Sequence, residues 1–358
     1  MPTIKTSPRV SVVMPSYNHA LFVREAIESV LSQSYQNFEL VITDDGSRDG
    51  TADVIRQIDD SRIRLNVFAE NRGACAAMND AIGRARGEYV AVLNSDDYFL
   101  PGKLVRQVEF LDEYPEIGAV FGLPQLINEH GDFIKNTGHA FSKVFIFENH
   151  PRLEWLKQFF YYGNCLCHPT VMIRKACYDR VGRFNPLLMQ LPDLDMWVRL
   201  CREFEIHVLP EKLTAFRILD REWNVSAPSV KKFARCSWEM YYILWHYTRL
   251  SGEEMRILFQ GTTESSKLKN ASVMLAQEAL GVGRPGYIQF GLALLHKCIE
   301  DDNSTFSLKE YFELVGKHDP FSAELSGKEY LLFRKTKLPS FARKIVGLLR
   351  SIMRRFPR

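Results

Sequence analysis

Strand-like and helix-like patterns alternate along the first third of the chain. Runs of β-branched and other apolar residues predict strands at residues 10–14, 38–42, 63–68, 88–93 and 117–121. Between them, apolar residues three and four apart predict helices at residues 21–31, 51–58 and 73–86, and from about residue 101. This alternation predicts an α/β fold with a doubly wound, mostly parallel sheet flanked by helices.

The pattern changes twice in the rest of the chain. Residues 126–228 are mixed and rich in aromatic residues, with a predicted strand at 170–174 and a predicted helix around 193–204. From residue 229 onward, the spacing predicts helices at 230–250, 253–280, 285–299 and 338–356. We therefore predict three parts: an α/β domain at residues 1–228, a helical region at 229–333 and a basic amphipathic tail at 334–358.

Polar residues follow three of the predicted strands directly where each strand ends. They form the segments Pro15-Ser16-Tyr17-Asn18, Thr43-Asp44-Asp45-Gly46-Ser47 and Asn94-Ser95-Asp96-Asp97. Because ligands bind beyond the carboxyl ends of strands in such sheets, we expect the three segments to share one rim. The adjacent carboxylates of Asp96 and Asp97 suit a hard divalent cation that holds a phosphorylated substrate. The alternative is an ordinary turn, since turns use the same residue types.

Three residues near this rim suit a bound nucleotide. Asp44 can accept a hydrogen bond from a base such as uracil, and Gly46 allows another backbone to approach closely. The alternative for this pair is a plain Asp-Gly turn. Arg72 precedes a predicted helix, where its guanidinium can bind a diphosphate. The alternative, which is more common for a single arginine, is a solvated side chain at the surface.

A second acidic cluster begins the predicted helix around 193–204. Asp193 opens this helix, so its carboxylate can face the rim and act as a general base. The alternative is a helix-capping aspartate. Asp195 and Arg199 stand four positions apart, and this spacing predicts an ion pair on one face of the helix.

Two further motifs have structural alternatives that are at least as strong. Cys165-Leu166-Cys167-His168 has ligand types for zinc, but without a second Cys/His pair nearby it is more typical of core cysteines. The four aromatic residues at 159–162 can stack on a sugar ring or pack in an aromatic core.

Composition and charge narrow the function classes. A chain of 358 residues with 46% hydrophobic and 25% charged residues is ordinary for a globular protein, and seven scattered cysteines favour a reducing compartment. We expect no secretory signal and no membrane-spanning helix, because no sufficiently long apolar stretch is found. Nine of the 46 basic residues fall at 334–358, a segment without acidic residues. The rest of the chain therefore carries a net negative charge, and we expect no nucleic-acid partner.

Taken together, these motifs resemble the family 2 glycosyltransferases, inverting enzymes with the Rossmann-like GT-A fold. The resemblance extends over about residues 9–228 and includes Asn71-Arg72-Gly73, His168-Pro169-Thr170 and Asp193-Leu194-Asp195 besides the strand ends. It implies that the nucleotide is bound by a set of residues on the rim: Pro15, Tyr17, Asp44, Asp45, Arg72 and Asn94. It also implies that Asp96 and Asp97 hold Mg²⁺ or Mn²⁺ with the diphosphate, and that Asp193 is the catalytic base.

The sequence departs from the family pattern at three positions. Asn94 replaces the first aspartate of the D-x-D motif, which keeps a hydrogen bond to ribose but removes a charge. Pro192 replaces the glutamate that precedes the catalytic aspartate. Leu219 stands where many members have a histidine that contacts the metal or diphosphate. The changes at Asn94 and Leu219 bear on the metal and its diphosphate ligand.

The resemblance implies transfer of a sugar from a nucleotide sugar, most simply a UDP-sugar, to an acceptor hydroxyl with inversion. In the tail, apolar residues at 341, 345, 348, 349, 352 and 356 form a helical stripe among basic residues, which favours an anionic membrane surface. A helix docked on the body and a disordered tail are the alternatives. We therefore expect a cytoplasmic enzyme, peripheral on the inner face of the membrane, with a saccharide or lipid-linked saccharide acceptor in surface-polysaccharide assembly.

A nucleotide-sugar-binding scaffold or regulatory protein is the alternative function, because three motif positions are altered. A nucleotidyltransferase fits less well, since the first strand is not followed by a Gly-rich phosphate loop.

Overall fold

The protein's computed structural model describes residues 7–134, 144–145, 148–219, 230–260, 270–301 and 308–318. The chain forms two compact units, Met1–Ser304 and Thr305–Arg358. The described part of the second unit is one helix, Leu308–His318. The predicted tail at 334–358 lies outside the described residues, and the predicted boundaries at 228 and 333 stay predictions.

The described residues of the first unit contain a sheet of eight strands. The strands are β1 (Val10–Ser16), β2 (Phe38–Asp44), β3 (Ile63–Val67), β4 (Tyr89–Val92), β5 (Tyr98–Phe99), β6 (Ile117–Ile127), β7 (Met172–Arg174) and β8 (Glu205–Arg217). Their order is β3-β2-β1-β4-β7-β6-β8-β5. The half from β3 to β4 is parallel, whereas β7 runs antiparallel to β4 and β6, and β5 runs antiparallel to β8.

Helices flank this sheet and continue along the chain. They are α1 (Val23–Leu31), α2 (Thr51–Arg56), α3 (Ala74–Arg84), α4 (Lys103–Glu113), α5 (Arg152–Tyr162), α6 (Lys175–Val181), α7 (Pro192–Glu203), α8 (Val230–Leu244), α9 (Gly252–Leu258), α10 (Ala271–Val282), α11 (Pro285–Glu300) and α12 (Leu308–His318). The predicted α/β class, with a sheet between helices and a helical C-terminal region, is confirmed.

The central strands are apolar because both faces of the sheet are covered. All residues of β2 and β4 are buried, and helices such as α1 turn a buried face of Val23, Ala26, Ile27 and Val30 towards the core. Continuous rather than alternating apolar runs are typical of parallel strands in this position. The strand ends that carry the polar segments therefore project from a rigid, fully buried base.

The predicted continuous helix at 253–280 is wrong. Helix α9 ends at Leu258, and α10 begins at Ala271. Asn270 caps α10, because its side-chain oxygen accepts hydrogen bonds from the main-chain N–H groups of Ser272 and Val273 at 2.9 and 3.2 Å. Such a cap marks a helix start that apolar spacing alone does not reveal.

Strand β8 was not predicted, and it contributes directly to the rim. It pairs in parallel with β6 over most of its length, with irregularities in register between Ile117 and Pro124. Its last residue, Arg217, pairs with Ile127 at the end of β6. Among the described residues, no helix is long and apolar enough to cross a membrane.

Candidate active site

The parallel register brings the predicted strand-end segments to one rim of the sheet. Ser16 of β1 is aligned with Asp44 of β2, and β1 also pairs with β4, the strand before Asn94. The two loops after β1 and β2 are joined, because Asn18 donates its main-chain N–H to Ser47 Oγ at 2.8 Å. Asn18 itself adopts a positive φ of 53°, a conformation that asparagine tolerates better than most residues.

Asp44 is fully buried under these loops. Its carboxylate accepts hydrogen bonds from the hydroxyls of Ser16 and Ser47 at 2.7 and 2.6 Å, and from the main-chain N–H of Ser47 at 2.9 Å. A carboxylate has about four lone-pair positions, so one remains for a ligand. Asp44 therefore organises the turn and retains limited capacity for a base N–H.

Asp45 holds the loop that carries Arg72. Its two carboxylate oxygens accept main-chain N–H groups of Arg72 at 2.6 Å and Gly73 at 2.9 Å. Gly46 lies so close to this loop that a Cβ on it would be 2.7 Å from the carbonyl carbon of Glu70. The close backbone approach that Gly46 permits is thus made by the protein's own chain.

Arg72 is exposed at the tip of this loop. Its guanidinium lies over the ring of Phe68, 4.8 Å from the ring centre. Tyr17 is also exposed, at 42%, and Pro15 is half-buried beside it. These three predicted nucleotide-binding residues face solvent on the same rim as Asp44, which leaves their surfaces open to a ligand.

The segment 94–97 forms a turn that is fastened at both ends. Asn94 Nδ2 donates to Asp97 Oδ2 at 3.0 Å, and Ser95 Oγ lies 2.8 Å from Nδ1 of His19. Asp97 is buried, and its Oδ1 accepts the main-chain N–H of Arg217 at 2.8 Å. Burial, together with the neighbouring Asp96 carboxylate, raises the pKa of Asp97 well above its usual range.

Arg217, which the sequence did not predict as a site residue, holds this turn in place. Its Nε donates to the carbonyl oxygen of Asp96 at 2.8 Å, and its other nitrogens reach Asn128, Glu129 and Glu25. Leu219, two residues further on, is half-buried.

Asp96 differs from Asp97 in what its carboxylate contacts. Within the described part of the chain, the Asp96 carboxylate makes no hydrogen bond and no ion pair, and the residue is only half-buried. The turn also offers the amide oxygen of Asn94. These oxygen donors fit Mg²⁺ or Mn²⁺, which prefer such ligands, but no group of three acidic or thiol or imidazole ligands occurs among the described residues. A bound cation would need further oxygens from a ligand such as a diphosphate.

Pro192 is the first residue of α7, and Asp193 is the second. Asn164 donates to Asp193 Oδ2 at 2.6 Å, and the main-chain N–H of Leu194 donates to Oδ1 at 2.8 Å. Burial raises the pKa of Asp193 to about 6, and the charge of Glu239 adds to the rise. A carboxylate with this pKa can both accept and release a proton near neutral pH.

Glu239 of α8 is a second residue that was not predicted from the sequence. It is buried, and its carboxylate accepts three successive main-chain N–H groups, from Met189, Gln190 and Leu191, at 2.8–2.9 Å. These residues lead directly into α7. Glu239 therefore fixes the chain that presents Asp193.

The predicted ion pair between Asp195 and Arg199 is confirmed, and it is buried rather than superficial. Two guanidinium nitrogens donate to Asp195 Oδ2 at 2.9 and 2.6 Å, while His246 Nε2 lies 2.8 Å from Oδ1. Although burial opposes it, these partners lower the pKa of Asp195. Arg199 also donates to the carbonyl oxygens of residues 181–183. The contacts of Asp195, Arg199 and His246 therefore hold the helix that begins next to Asp193.

The acidic turn and Asp193 both act electrostatically on the buried Cys167 thiol. Burial raises the pKa of the Cys167 thiol well above its usual range, and the charges of both Asp97 and Asp193 add to that rise. Cys165 is buried as well, and the half-buried His168 packs against the rings of Phe184 and Trp197. The core alternative for the Cys-x-Cys-His motif is thus the one that the burial supports.

The fold is that of a GT-A glycosyltransferase. The crystal structure of residues 1–349 of S. aureus TarS in complex with UDP-GlcNAc matches with a TM-score of 0.57, covering 80% of this chain and 83% of that one. Sequence identity is 19%, so this likeness concerns the fold.

The chain belongs to glycosyl transferase family 2. The sequence model described as "Glycosyl transferase family 2" matches residues 11–177. The chain is 45% identical over 238 residues to the putative teichuronic acid biosynthesis glycosyltransferase TuaG of Bacillus subtilis, covering 65% of this chain and 87% of TuaG. It is 30% identical over 220 residues to the putative glycosyltransferase EpsE of the same species, covering 60% and 74%. The protein is therefore a glycosyltransferase.

Proposed function

We propose that the protein transfers a sugar from a UDP-sugar to an acceptor hydroxyl with inversion at the anomeric carbon. The observation that carries this proposal is Asp193, a carboxylate with a pKa of about 6 at the start of α7, oriented by Asn164 and the Leu194 N–H. Its charge and that of Asp97 in the acidic turn both act on Cys167. A base near neutral pKa on one side and a diphosphate-binding turn on the other are what a single displacement requires.

On the donor side, the uracil ring of the nucleotide would lie between the exposed Tyr17 ring and the buried Asp44 carboxylate. That carboxylate retains one acceptor position. Asn94 would contact ribose through its amide. Arg72, held by Asp45 at a loop tip, would reach the diphosphate. Asp45 serves this arrangement through the loop, because both its oxygens are already bonded to main-chain N–H groups.

Asp96 would hold Mg²⁺ or Mn²⁺ together with the diphosphate, because its carboxylate is unengaged by the described residues. When bound, the cation would neutralise negative charge on the leaving diphosphate. Asp97 helps to hold the turn that carries Asp96, because its carboxylate oxygens accept hydrogen bonds from the Asn94 amide and from the main-chain N–H of Arg217.

On the acceptor side, Asp193 would remove the proton of the attacking hydroxyl. Asn164 and the Leu194 N–H orient its carboxylate, and Glu239 fixes the preceding chain. Attack from this side, opposite the diphosphate, inverts the anomeric centre. The similarity to TuaG supports an acceptor in surface-polysaccharide assembly. The basic amphipathic tail that the sequence predicts at 334–358 supports a lipid-linked acceptor reached from the inner membrane face.

Turnover of nucleotide sugars by the purified chain tests this proposal. We expect UDP release from a UDP-sugar with Mn²⁺, loss of this release with chelator, and loss with Asp193→Asn while UDP still binds. An NMR spectrum of the product gives the anomeric configuration. Binding of nucleotide sugars without turnover on any acceptor would instead indicate a scaffold or regulatory protein.

A further inference from the structure

A groove of about 640 Å³ lies between α5 and the turn that joins α10 to α11. Its lining residues on α5 recur three or four positions apart, so they form one face of that helix. They are Glu154, Lys157, Gln158, Tyr161 and Tyr162. The opposite wall consists of Glu278, Gly281, Val282 and Arg284. None of the residues predicted for the nucleotide site lines this groove.

The aromatic motif at 159–162 divides between the core and the groove. Phe159 and Phe160 are buried, and the Phe160 ring packs edge-on against Tyr287 and Phe259. Tyr161 and Tyr162 instead line the groove, and Tyr162 is 72% exposed. An exposed aromatic ring at the edge of a groove offers an apolar face on which a sugar ring can stack.

The polar lining also suits a saccharide. Glu278 is buried on a helix that is otherwise largely apolar, and it accepts a hydrogen bond from the Tyr161 hydroxyl at 2.7 Å. A carboxylate at such a position is costly to bury, and its oxygens can accept hydrogen bonds from the hydroxyl groups of a sugar. Lys157 and Arg284 balance the charges of Glu154 and Glu278 in the lining. A balanced lining favours a polar ligand over a strongly charged polymer.

The Tyr162 end of the groove is connected along the chain to a residue that binds the proposed base. Tyr162 is the last residue of α5, and Asn164, two residues later, donates the 2.6 Å hydrogen bond to Asp193. From Glu154 to Tyr162 the helix rises about 12 Å, which exceeds the length of one sugar ring. A chain of linked sugars lying along α5 would therefore bring one end towards Asp193.

We propose that this groove binds the acceptor as a saccharide chain, with Tyr162 stacking on a sugar ring near the reacting end. The inference rests on the proposed function, because it takes Asp193 as the base that the acceptor must reach. It adds a substrate class, an oligosaccharide of more than one ring, and the helix face that selects it.

The test uses the full chain and an immobilised array of bacterial surface oligosaccharides as the probe. The best-bound oligosaccharide is then titrated in solution into the unchanged protein, Tyr162→Ala, Tyr162→Phe and the control Tyr114→Ala. Tyr114 is also an exposed tyrosine, but it lies at the end of α4 and does not line the groove. We expect Tyr162→Ala to weaken binding about tenfold, Tyr162→Phe to retain it and Tyr114→Ala to leave it unchanged.

The outcomes separate this inference from the proposed function. If no oligosaccharide binds, or if Tyr162→Ala binds as tightly as the unchanged protein, the groove is not the acceptor site. Asp193-dependent release of UDP in that case leaves the proposed function standing. Conversely, Tyr162-dependent binding without any turnover of UDP-sugars supports the groove and contradicts the proposed function.

Discussion

Glu239 fixes the chain immediately before Asp193 through three main-chain hydrogen bonds, the last from the residue two positions before it. The two carboxylates also interact electrostatically, because the charge of Glu239 helps to raise the pKa of Asp193. One residue of the helical region thus both positions the proposed base and adjusts its proton affinity. Helix α8 thereby supports the proposed base from outside the sheet.

Replacing Glu239 separates these two effects. In Glu239→Gln the negative charge is lost, so we expect the pKa of Asp193 to fall and the acidic limb of the kcat/KM profile to move to lower pH. The amide also offers fewer acceptor positions to the three N–H groups, and we expect a loss of about 1–3 kcal/mol in the free energy of unfolding. Glu253→Gln, at an exposed position of α9, is the matched control and should change neither quantity.

The pH dependence of the unchanged enzyme follows from the raised pKa of Asp193. Below about pH 6 the carboxyl is protonated and cannot take the acceptor proton, so kcat/KM should fall about tenfold per pH unit there. Above that pH it should reach a plateau. Asp193→Asn should lower kcat/KM by about 10²- to 10⁴-fold and remove this limb from the residual activity. A profile whose midpoint stays near pH 4 would contradict the assignment of Asp193.

Asp96 is predicted to respond to loss of charge through metal-dependent binding rather than through stability. Asp96→Asn should abolish the part of UDP affinity that depends on Mn²⁺, with a change in the free energy of unfolding within about 0.5 kcal/mol, because its carboxylate has no described partner. Titration calorimetry with and without Mn²⁺ measures this. Asp53→Asn, on the exposed side of α2, serves as the control. Equal UDP affinity of Asp96→Asn and the unchanged protein in Mn²⁺ would remove Asp96 from the metal site.

The sequence predicted the parallel half of the sheet and its rim because both depend on local signals. Apolar runs identified the strands, and the residues directly after them formed the polar segments, so Asp44 and Asp96 could be placed at the strand ends without knowledge of distant contacts. Parallel pairing then brought these strand ends together, as the register of Ser16 with Asp44 shows.

Residues that support the site from afar could not be found in this way. Arg217 is 120 positions from Asp97, and Glu239 is 49 positions from Gln190, so neither contact has a local signature. Strand β8 was missed because its residues alternate irregularly, with charged Glu211 and Lys212 in the middle of the strand. The break after Leu258 was missed because apolar spacing resumes in nearly the same phase after Asn270.

Arg217 is predicted to be the most sensitive position for stability of the rim. Its buried guanidinium joins the turn at Asp96 to the carbonyls of 128–129 and to Glu25, so Arg217→Ala leaves several acceptors without a partner. We expect a loss of about 3–5 kcal/mol in the free energy of unfolding. Arg217→Lys should recover only part of it, because an ammonium lacks the planar fork. The exposed Arg24→Ala is the control in thermal unfolding, and equal melting of Arg217→Ala and Arg24→Ala would contradict this role.

Asn164 provides a test with a sign opposite to that of Glu239. Its hydrogen bond to Asp193 lowers the pKa of that carboxyl against the larger effect of burial, so Asn164→Ala should raise the pKa and move the acidic limb of kcat/KM to higher pH. The rate on the plateau should also fall, because the carboxylate loses one of the two contacts that orient it. Asn164→Asp should raise the pKa further, since a second carboxylate would replace a donor. Shifts of the limb to lower pH in both variants would show that Asp193 does not control it.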